Sequence, residues 1–575
     1  INGGSDKIHY YISGNYMNNP GIMENSGYER YSARVNLDAE VKDWFTIGVN
    51  AYGTRGKEEL GLLKTESNDN FYTYMQATTP GICYQAPDGR YGGVNNSEDD
   101  PQSSSNNVLK MLNDVKGNRT TNNIVSRFYA QLRPFKGLTI EGSYTYAFSD
   151  QFLYQQPVFH DLWNLYDNTL QIAGTGVSKV INRNNKTVRN NMDGLVRYET
   201  DIDRLNIQAT VGASQEAYRN NWFEASKENL TSSELTELNA ATANATATGT
   251  YSNWAMRSFF GRVNLNWDEK YLLEANLRAD ASSRFAKKYR WGYFPSFSLG
   301  WRIDQEEFFK NWDQNVWNGV KLRGGWGQIG NQNIPSYAYA DIVSTYETWV
   351  YGFNSGQNIL KAYASTSKGN KNIKWETVEQ GNVGVDLGFF KNSLTLSVDA
   401  YIKTTRDMLM QNPLPNMAGY PTTPWVNAGS VENRGLEFLI GYQGKTGDFR
   451  YAVSANFTFQ KNKLVETGTN DPIWGSVSKN EIGEEFGRFY GYVYDGIFQS
   501  EEEVRAHVGA DGKTLLQPLA RPGDARFKNI SGDNRLDSDD RTYIGNPNPD
   551  VIYGGNIELG YKGFDLSLIH ISEPT

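Results

Sequence analysis

Leu272-Leu273-Glu274-Ala275-Asn276-Leu277-Arg278-Ala279-Asp280-Ala281 alternates like a ruler: Leu273, Ala275, Leu277, Ala279 and Ala281 fall on one side, Glu274, Asn276, Arg278 and Asp280 on the other. Side chains along a β-strand point alternately to opposite faces, so this run offers one apolar and one polar surface. Leu394–Lys403 repeats the pattern, with Leu394, Leu396, Val398, Ala400 and Ile402 opposing Thr395, Ser397, Asp399 and Lys403. Leu205–Ser214, Phe45–Tyr52, Leu138–Phe148, Phe259–Trp267, Asn382–Phe389 and Tyr451–Gln460 follow the same rule. Most of these runs are close to the ~9–11 residues that a tilted strand needs to cross a bilayer. The pattern predicts an all-β fold: a transmembrane antiparallel β-barrel with lipid on the apolar side and a polar interior.

A soluble β-sandwich also alternates, with its apolar face turned to a core. The connections separate the two. Tight links at Asp38–Trp44, Phe135–Gly137, Asp201–Asp203, Asp268–Lys270, Phe389–Ser393, Gly444–Asp448 and Tyr561–Gly563 alternate with long ones such as Gly56–Asn122, Ser149–Lys186, Ile329–Trp375 and Asn462–Ile552. Outer-membrane barrels are built this way, with short periplasmic turns and long extracellular loops. The link Asp304–Asn318 is longer, and Gln305–Phe309 reads as a small helix capped by Asp304. Trp44, Phe45, Phe135, Trp267, Tyr271, Phe389, Phe390, Phe449 and Phe564 crowd the tight turns, where an aromatic girdle would meet the membrane boundary.

Composition agrees. A mean hydropathy of −0.61 suits a barrel with polar loops and interior. No run is apolar enough for a membrane helix, and 13% aromatic residues argue against disorder. A net charge of −9 without basic runs argues against nucleic acid as a partner. The single Cys83 reads as an incidental loop residue, and His9, His160, His507 and His570 lack ligand spacing. The chain opens at Ile1 within a strand-like run, Lys7–Tyr16, without a signal peptide, so the expected N-terminus lies upstream. At the other end, Leu566–Thr575 looks like the translation of a transposon adapter used in sequencing libraries. The expected division is therefore a partial barrel over 1–568 and an artefactual tail over 569–575, with the tail leaving the strand ladder after Phe564–Leu568.

Longer motifs carry a family resemblance. Arg290-Trp291-Gly292-Tyr293-Phe294-Pro295-Ser296-Phe297-Ser298-Leu299-Gly300-Trp301-Arg302 resembles the strand before the periplasmic helix of SusC/RagA-type TonB-dependent transporters. Leu322-Arg323-Gly324-Gly325-Trp326-Gly327-Gln328-Ile329-Gly330-Asn331-Gln332 resembles the next strand. Asn372-Ile373-Lys374-Trp375-Glu376-Thr377 with Gly384–Phe390 is the most specific match, and Asn433–Glu437 and Gly491–Phe498 add two more. The ordered set spans Gly3 to about Leu568. The resemblance implies a 22-stranded outer-membrane importer of Bacteroidetes-type bacteria with a plugged lumen. It also implies oligosaccharide or peptide substrates, energy from the TonB complex and a SusD-like lipoprotein lid. The alternation accounts for about 17 strands, so the plug, the TonB-contacting segment and several C-terminal strands are expected to lie outside the sequence, leaving an incomplete barrel.

Three stretches carry candidate chemistry. Asn529–Asp540 resembles a worn calcium loop, with Asn529, Ser531, Asp533 and Asp537 as ligand candidates and Asp540 at the closing position. Asn534 stands where glycine is expected and can take the left-handed backbone. A turn held without metal is the plainer reading. Tyr346, Trp349, Tyr351, Trp425 and Trp474 sit in long loops where flat rings suit a sugar face, against the alternatives of loop packing or contact with the lid lipoprotein. Glu501-Glu502-Glu503 opens a helix through Val504 and Ala506 rather than supplying a glycosidase pair, and no nucleophile triad or phosphate loop is present. The sequence thus points to a SusC-like importer rather than an enzyme. A TonB-dependent siderophore or cobalamin receptor and a non-transporting surface adhesin are the alternatives.

Overall fold

In a computed structural model, the structure describes residues 1–59, 83–93, 107–157, 160–174, 178–232, 234–346, 362–412, 417, 419–420, 422–468 and 471–572. Eighteen strands form one sheet. In chain order they are β1 (Asn2–Gly4), β2 (Ile8–Pro20), β3 (Gly27–Lys42), β4 (Phe45–Glu59), β5 (Val115–Leu132), β6 (Leu138–Pro157), β7 (Lys179–Ile202), β8 (Leu205–Leu230) and β9 (Ala241–Trp267). These are followed by β10 (Tyr271–Ser282), β11 (Trp291–Arg302), β12 (Trp317–Asn331), β13 (Glu376–Phe389), β14 (Leu394–Arg406), β15 (Ser430–Thr446), β16 (Phe449–Glu466), β17 (Val551–Tyr561) and β18 (Phe564–Ser572). All eight alternating runs fall inside these strands. The count exceeds the sequence expectation by one because the three residues of β1 carry too little pattern to be read.

The chain forms two compact units, one of Ile1–Arg197 with Gly212–Ser258, the other of Tyr198–Val211 with Phe259–Thr575. In the first, β2–β3, β3–β4, β4–β5 and β5–β6 are antiparallel neighbours. In the second, antiparallel pairing runs from β10 to β18 without a crossover. The links 43–44, 133–137, 203–204, 268–270, 390–393, 447–448 and 562–563 are short, and those between them are longer. Asp203 and Asp268 take positive φ in two of the tight turns, a conformation that aspartate tolerates well. Among the described residues no helix is long and apolar enough to cross a membrane.

Register turns the sequence pattern into two surfaces. Leu396 stands opposite Leu387 on one side and Ile440 on the other, and Val398 opposite Val385 and Phe438. Ile440 continues to Ala455, and Phe438 to Phe457. Each apolar residue therefore meets apolar cross-strand neighbours, the pairing that stabilises a sheet. Leu277 stays 55% exposed and Leu273 38%, while Asp280 on the opposite face is 7% exposed. Exposed leucines beside a nearly covered aspartate reverse what a soluble sheet would show. The sequence reading of these two faces holds.

Two expectations require correction. The ladder continues past Phe564–Leu568: Ile569, His570, Ile571 and Ser572 pair with Asn556, Gly555, Gly554 and Tyr553. Main-chain hydrogen bonds accept almost any side chain, so a break in the apolar pattern at His570 does not end a strand. Asp304 also caps no helix. It lies inside a 3₁₀ turn, Ile303–Gln305, followed by a second, Glu307–Asn311. Its carboxylate accepts hydrogen bonds from Arg302 (2.9 Å) and Gln305 (2.8 Å). Glu306 instead is the hub of this link, accepting from the Tyr271 hydroxyl at 2.6 Å and the Trp301 indole at 3.1 Å. Tyr271 and Trp301 are thereby fixed by one carboxylate.

Candidate functional site

The polar face of the second unit is organised around Arg323. Its guanidinium donates to both oxygens of Asp386 at 3.0 Å and to both oxygens of Asp399 at 2.6 Å, and Ser397 Oγ donates to Asp386 at 2.9 Å. The three charges come from β12, β13 and β14, and register brings them together: Arg323 faces Gly384, and Gly384 faces Asp399. A Cβ on Gly384 would come within 2.9 Å of the Arg323 guanidinium carbon and closer still to Asp399. Only glycine leaves room for the side chains of the flanking strands to meet across it. Bidentate arginine–carboxylate contacts are strong and directional, so the cluster fixes the wall's polar face. The alternation puts Asp399 on this face but carries no signal for its partner Arg323, 76 residues away in the chain. An open cleft of about 440 Å³ beside the cluster is lined by amides, among them Asn206, Gln208, Asn264, Asn266 and Asn382.

Three of the family-like motifs pack as structural elements. Trp375 packs against Phe294 with ring centres 5.4 Å apart and against Phe285 at 5.2 Å, and its indole donates to the Arg290 carbonyl at 2.8 Å. Phe285 and Ile373 are fully buried beside it. The stretch around Arg290–Phe294 and the stretch Asn372–Thr377 are thus two halves of one clasp where β11 and β13 begin. Gly491–Phe498 forms part of two short ladders, Phe489–Tyr492 with Arg541–Gly545 and Tyr494–Ile497 with Ala525–Phe527. Phe498 is the buried centre of this loop domain, against His507 at 5.5 Å. Glu501–Ala506 is helical as expected, capped by Ser500.

The calcium-like stretch lies in the same loop domain. Asp540 is fully buried, and its carboxylate accepts from the amides of Ile530 (2.8 Å), Ser531 (3.0 Å) and Asp537 (2.9 Å). Burial alone would raise this carboxyl, but the amides of Ser531, Asp537 and Ile530 outweigh it and hold the group below the ordinary aspartate range. Asn529 Oδ1 accepts from Ser531 and Gly532, Asp533 from the Arg535 amide and Asp537 from the Asp539 amide. The candidate ligands thus engage the loop's own donors, and among the described residues no group of three or more His, Cys, Asp or Glu is placed to hold a metal. The left-handed residue is Gly532 (φ 72°), not Asn534, whose side chain instead accepts from the Asp511 amide at 2.9 Å.

Of the loop aromatics, the two whose side chains are described, Trp425 and Trp474, belong to different short ladders. Trp474 is 60% exposed, with the Lys479 ammonium 5.4 Å from its ring centre and Tyr490 edge-on at 5.5 Å. Trp425 is half-buried in a short ladder with Gln411, and its carbonyl accepts from Asn370 at 3.0 Å. Tyr346 ends the strand Ile342–Tyr346, its side chain outside the described residues, as are Trp349 and Tyr351 altogether. Cys83 is an exposed free thiol.

Known proteins supply the remaining context. Residues 84–497 match the family described as TonB dependent receptor-like, beta-barrel. The chain is 29% identical over 587 residues to TonB-dependent receptor P3 of Formosa agariphila, and 29% identical over 604 residues to TonB-dependent receptor SusC of Bacteroides thetaiotaomicron. Both alignments cover 99% of this chain and 56% of the relative, so the chain spans little more than half the length of these curated relatives. The structure of the RagAB peptide transporter shares the fold, with a TM-score of 0.77 at 21% identity, covering 99% of this chain and 60% of that one. The chain belongs to the TonB-dependent receptor β-barrel family. It is an outer-membrane protein of a β-barrel family.

Proposed function

We propose that the intact protein imports oligosaccharides or peptides across the outer membrane, energised by the TonB complex and gated by a SusD-like lipoprotein lid. The observation that carries this reading is the collinear match of the whole two-faced wall to SusC and to the RagAB fold. The ferric preacinetobactin receptor BauA overlays less well, with a TM-score of 0.50 at 12% identity, which favours the SusC/RagA branch over a siderophore or cobalamin receptor. Loop rings such as Trp425 and Trp474 contribute to contacts with substrate or lid. Catalysis has no place in this reading: the wall binds, excludes and conducts. The test is uptake by a strain carrying the full-length gene, compared with a deletion of that gene and with a strain lacking TonB. Loss of growth on an oligosaccharide or peptide in both deletions supports import. Surface attachment without TonB-dependent uptake would establish the adhesin reading instead, and iron- or cobalamin-limited growth defects the receptor reading.

A further inference from the structure

Strands β7, β8 and β9 are 24, 26 and 27 residues long, more than twice the ~9–11 needed to cross a bilayer. Counted from the tight turn at Leu205, Tyr218 and everything after it on β8 lie beyond that span, on the side of the long loops. The luminal face continues into this extension with the same alternation. Ser214, Glu216, Tyr218, Asn220, Trp222 and Glu224 share it, and their partners on β7 are Asn191, Arg189, Asn185 and Arg183.

Two features distinguish this surface. Tyr218 and Trp254 lie nearly parallel, at 16° with ring centres 5.5 Å apart, both half-buried on a wall otherwise made of amides and charges. Around them, the arginines and glutamates that flank the rings on this face are paired. Arg183 donates to Glu224 at 2.7 Å and lies 5.8 Å from the Trp222 ring centre, Arg189 pairs with Glu216, and Asn220 donates to Asn185 (2.6 Å) and Thr187 (2.9 Å). The rings are braced before any ligand arrives, which lowers the entropic cost of using them. Flat ring faces suit the C–H face of a pyranose, and neighbouring amides suit its hydroxyls. Mutually neutralised arginines and glutamates offer no free charge to fix a uronic acid, a phosphate or a peptide terminus.

Resting on the import reading above, we infer that the Tyr218–Trp254 pair, flanked by Trp222 and Asn220, is a subsite for neutral oligosaccharides at the extracellular mouth of the lumen. This narrows the substrate class to uncharged glycans. The test uses the full-length protein expressed in the outer membrane with its partner lipoprotein. Binding and uptake are measured for maltoheptaose, laminarihexaose, cellohexaose, mannohexaose and xylohexaose, with oligogalacturonate and a mixed peptide digest as counter-probes. The expected result is a neutral glycan whose binding weakens about tenfold or more in Trp254→Ala and Tyr218→Ala but is retained in Tyr218→Phe, which keeps the ring. Heat-modifiable migration on gels establishes that each variant is folded. Unchanged glycan binding in both alanine variants overturns the subsite while leaving import standing. Binding of only the charged glycan or the peptides, or of none of the probes, also overturns it. Loss of all TonB-dependent uptake in the unmutated protein would overturn the import reading itself.

Discussion

The wall strands β10–β16 and the loop domain of residues 471–550 are made of the same chain by opposite rules. In the wall, large apolar residues are exposed and charges gather on the other face: Leu277 lies open while Arg323, Asp386 and Asp399 close on one another. In the loop domain, Phe498, Val504 and Leu516 are buried around a small conventional core, and a fully buried Asp540 ties the 529–540 turn by its own amides. The wall leaves its apolar face open and is held by its strand ladder rather than by a core. The loop domain stands in water and must make one. Stability in the wall is therefore set by ladders and register, whereas in the loop domain it is set by packing around a few side chains.

That contrast can be broken at its strongest point first. Phe498→Ala should cost the loop domain ~3–5 kcal/mol, since it empties the centre of a small core. Proteolysis should then cut between residues 471 and 550 while the wall of the full-length protein stays heat-resistant on gels; loss of both together would show that the two regions are one cooperative unit. Leu277→Arg should cost the wall ~2–4 kcal/mol if the residue sits near the bilayer midplane, and should leave the loop domain's protease resistance intact. A variant inserting into vesicles as readily as the parent would place Leu277 away from lipid.

Arg323→Ala should cost ~1–3 kcal/mol, because it leaves two partly covered carboxylates facing one another without their donor. The double variant Asp386→Asn with Asp399→Asn in the same background should recover part of that loss, which urea unfolding in detergent or lipid would read. No recovery would mean that the charges do not act as a unit.

A smaller effect separates the regions by pH. Burial holds the His507 imidazole below its usual value, reinforced by the Arg526 charge. The folded loop domain thus binds this proton less readily than the unfolded chain does. Its stability should be complete above about pH 6.5, the ordinary histidine value, and decline as pH falls through that value towards the depressed folded one. His507→Gln should flatten this part of the profile of loop proteolysis; an unchanged slope would assign it elsewhere. Asp540 acts at still lower pH. Its depressed carboxyl contributes stability that is present above the ordinary aspartate value and is lost as pH falls through the folded one. Calcium is expected to have the least effect. With the loop oxygens already engaged by amides, millimolar calcium should leave the loop domain's melting unchanged, and a clear rise would establish Asn529, Ser531, Asp533, Asp537 and Asp540 as ligands.

The sequence by itself determined the wall, because a strand between lipid and water must alternate with a period of two and leaves that period in Leu272–Ala281 and Leu394–Lys403. It also located the tight turns and their aromatics, for the membrane boundary selects residue types locally. Tertiary structure decided what depends on distant partners. Pairing of Arg323 with Asp386 and Asp399, the clasp of Trp375 on Phe294 and Phe285, and the parallel rings of Tyr218 and Trp254 join strands whose spacing in the chain is set by loop length, which carries no periodic signal. Likewise the tail kept its ladder through Ser572, and Gly532 rather than Asn534 took the left-handed turn. Backbone hydrogen bonding and loop closure are satisfied by the whole fold, and side-chain identity constrains them only weakly.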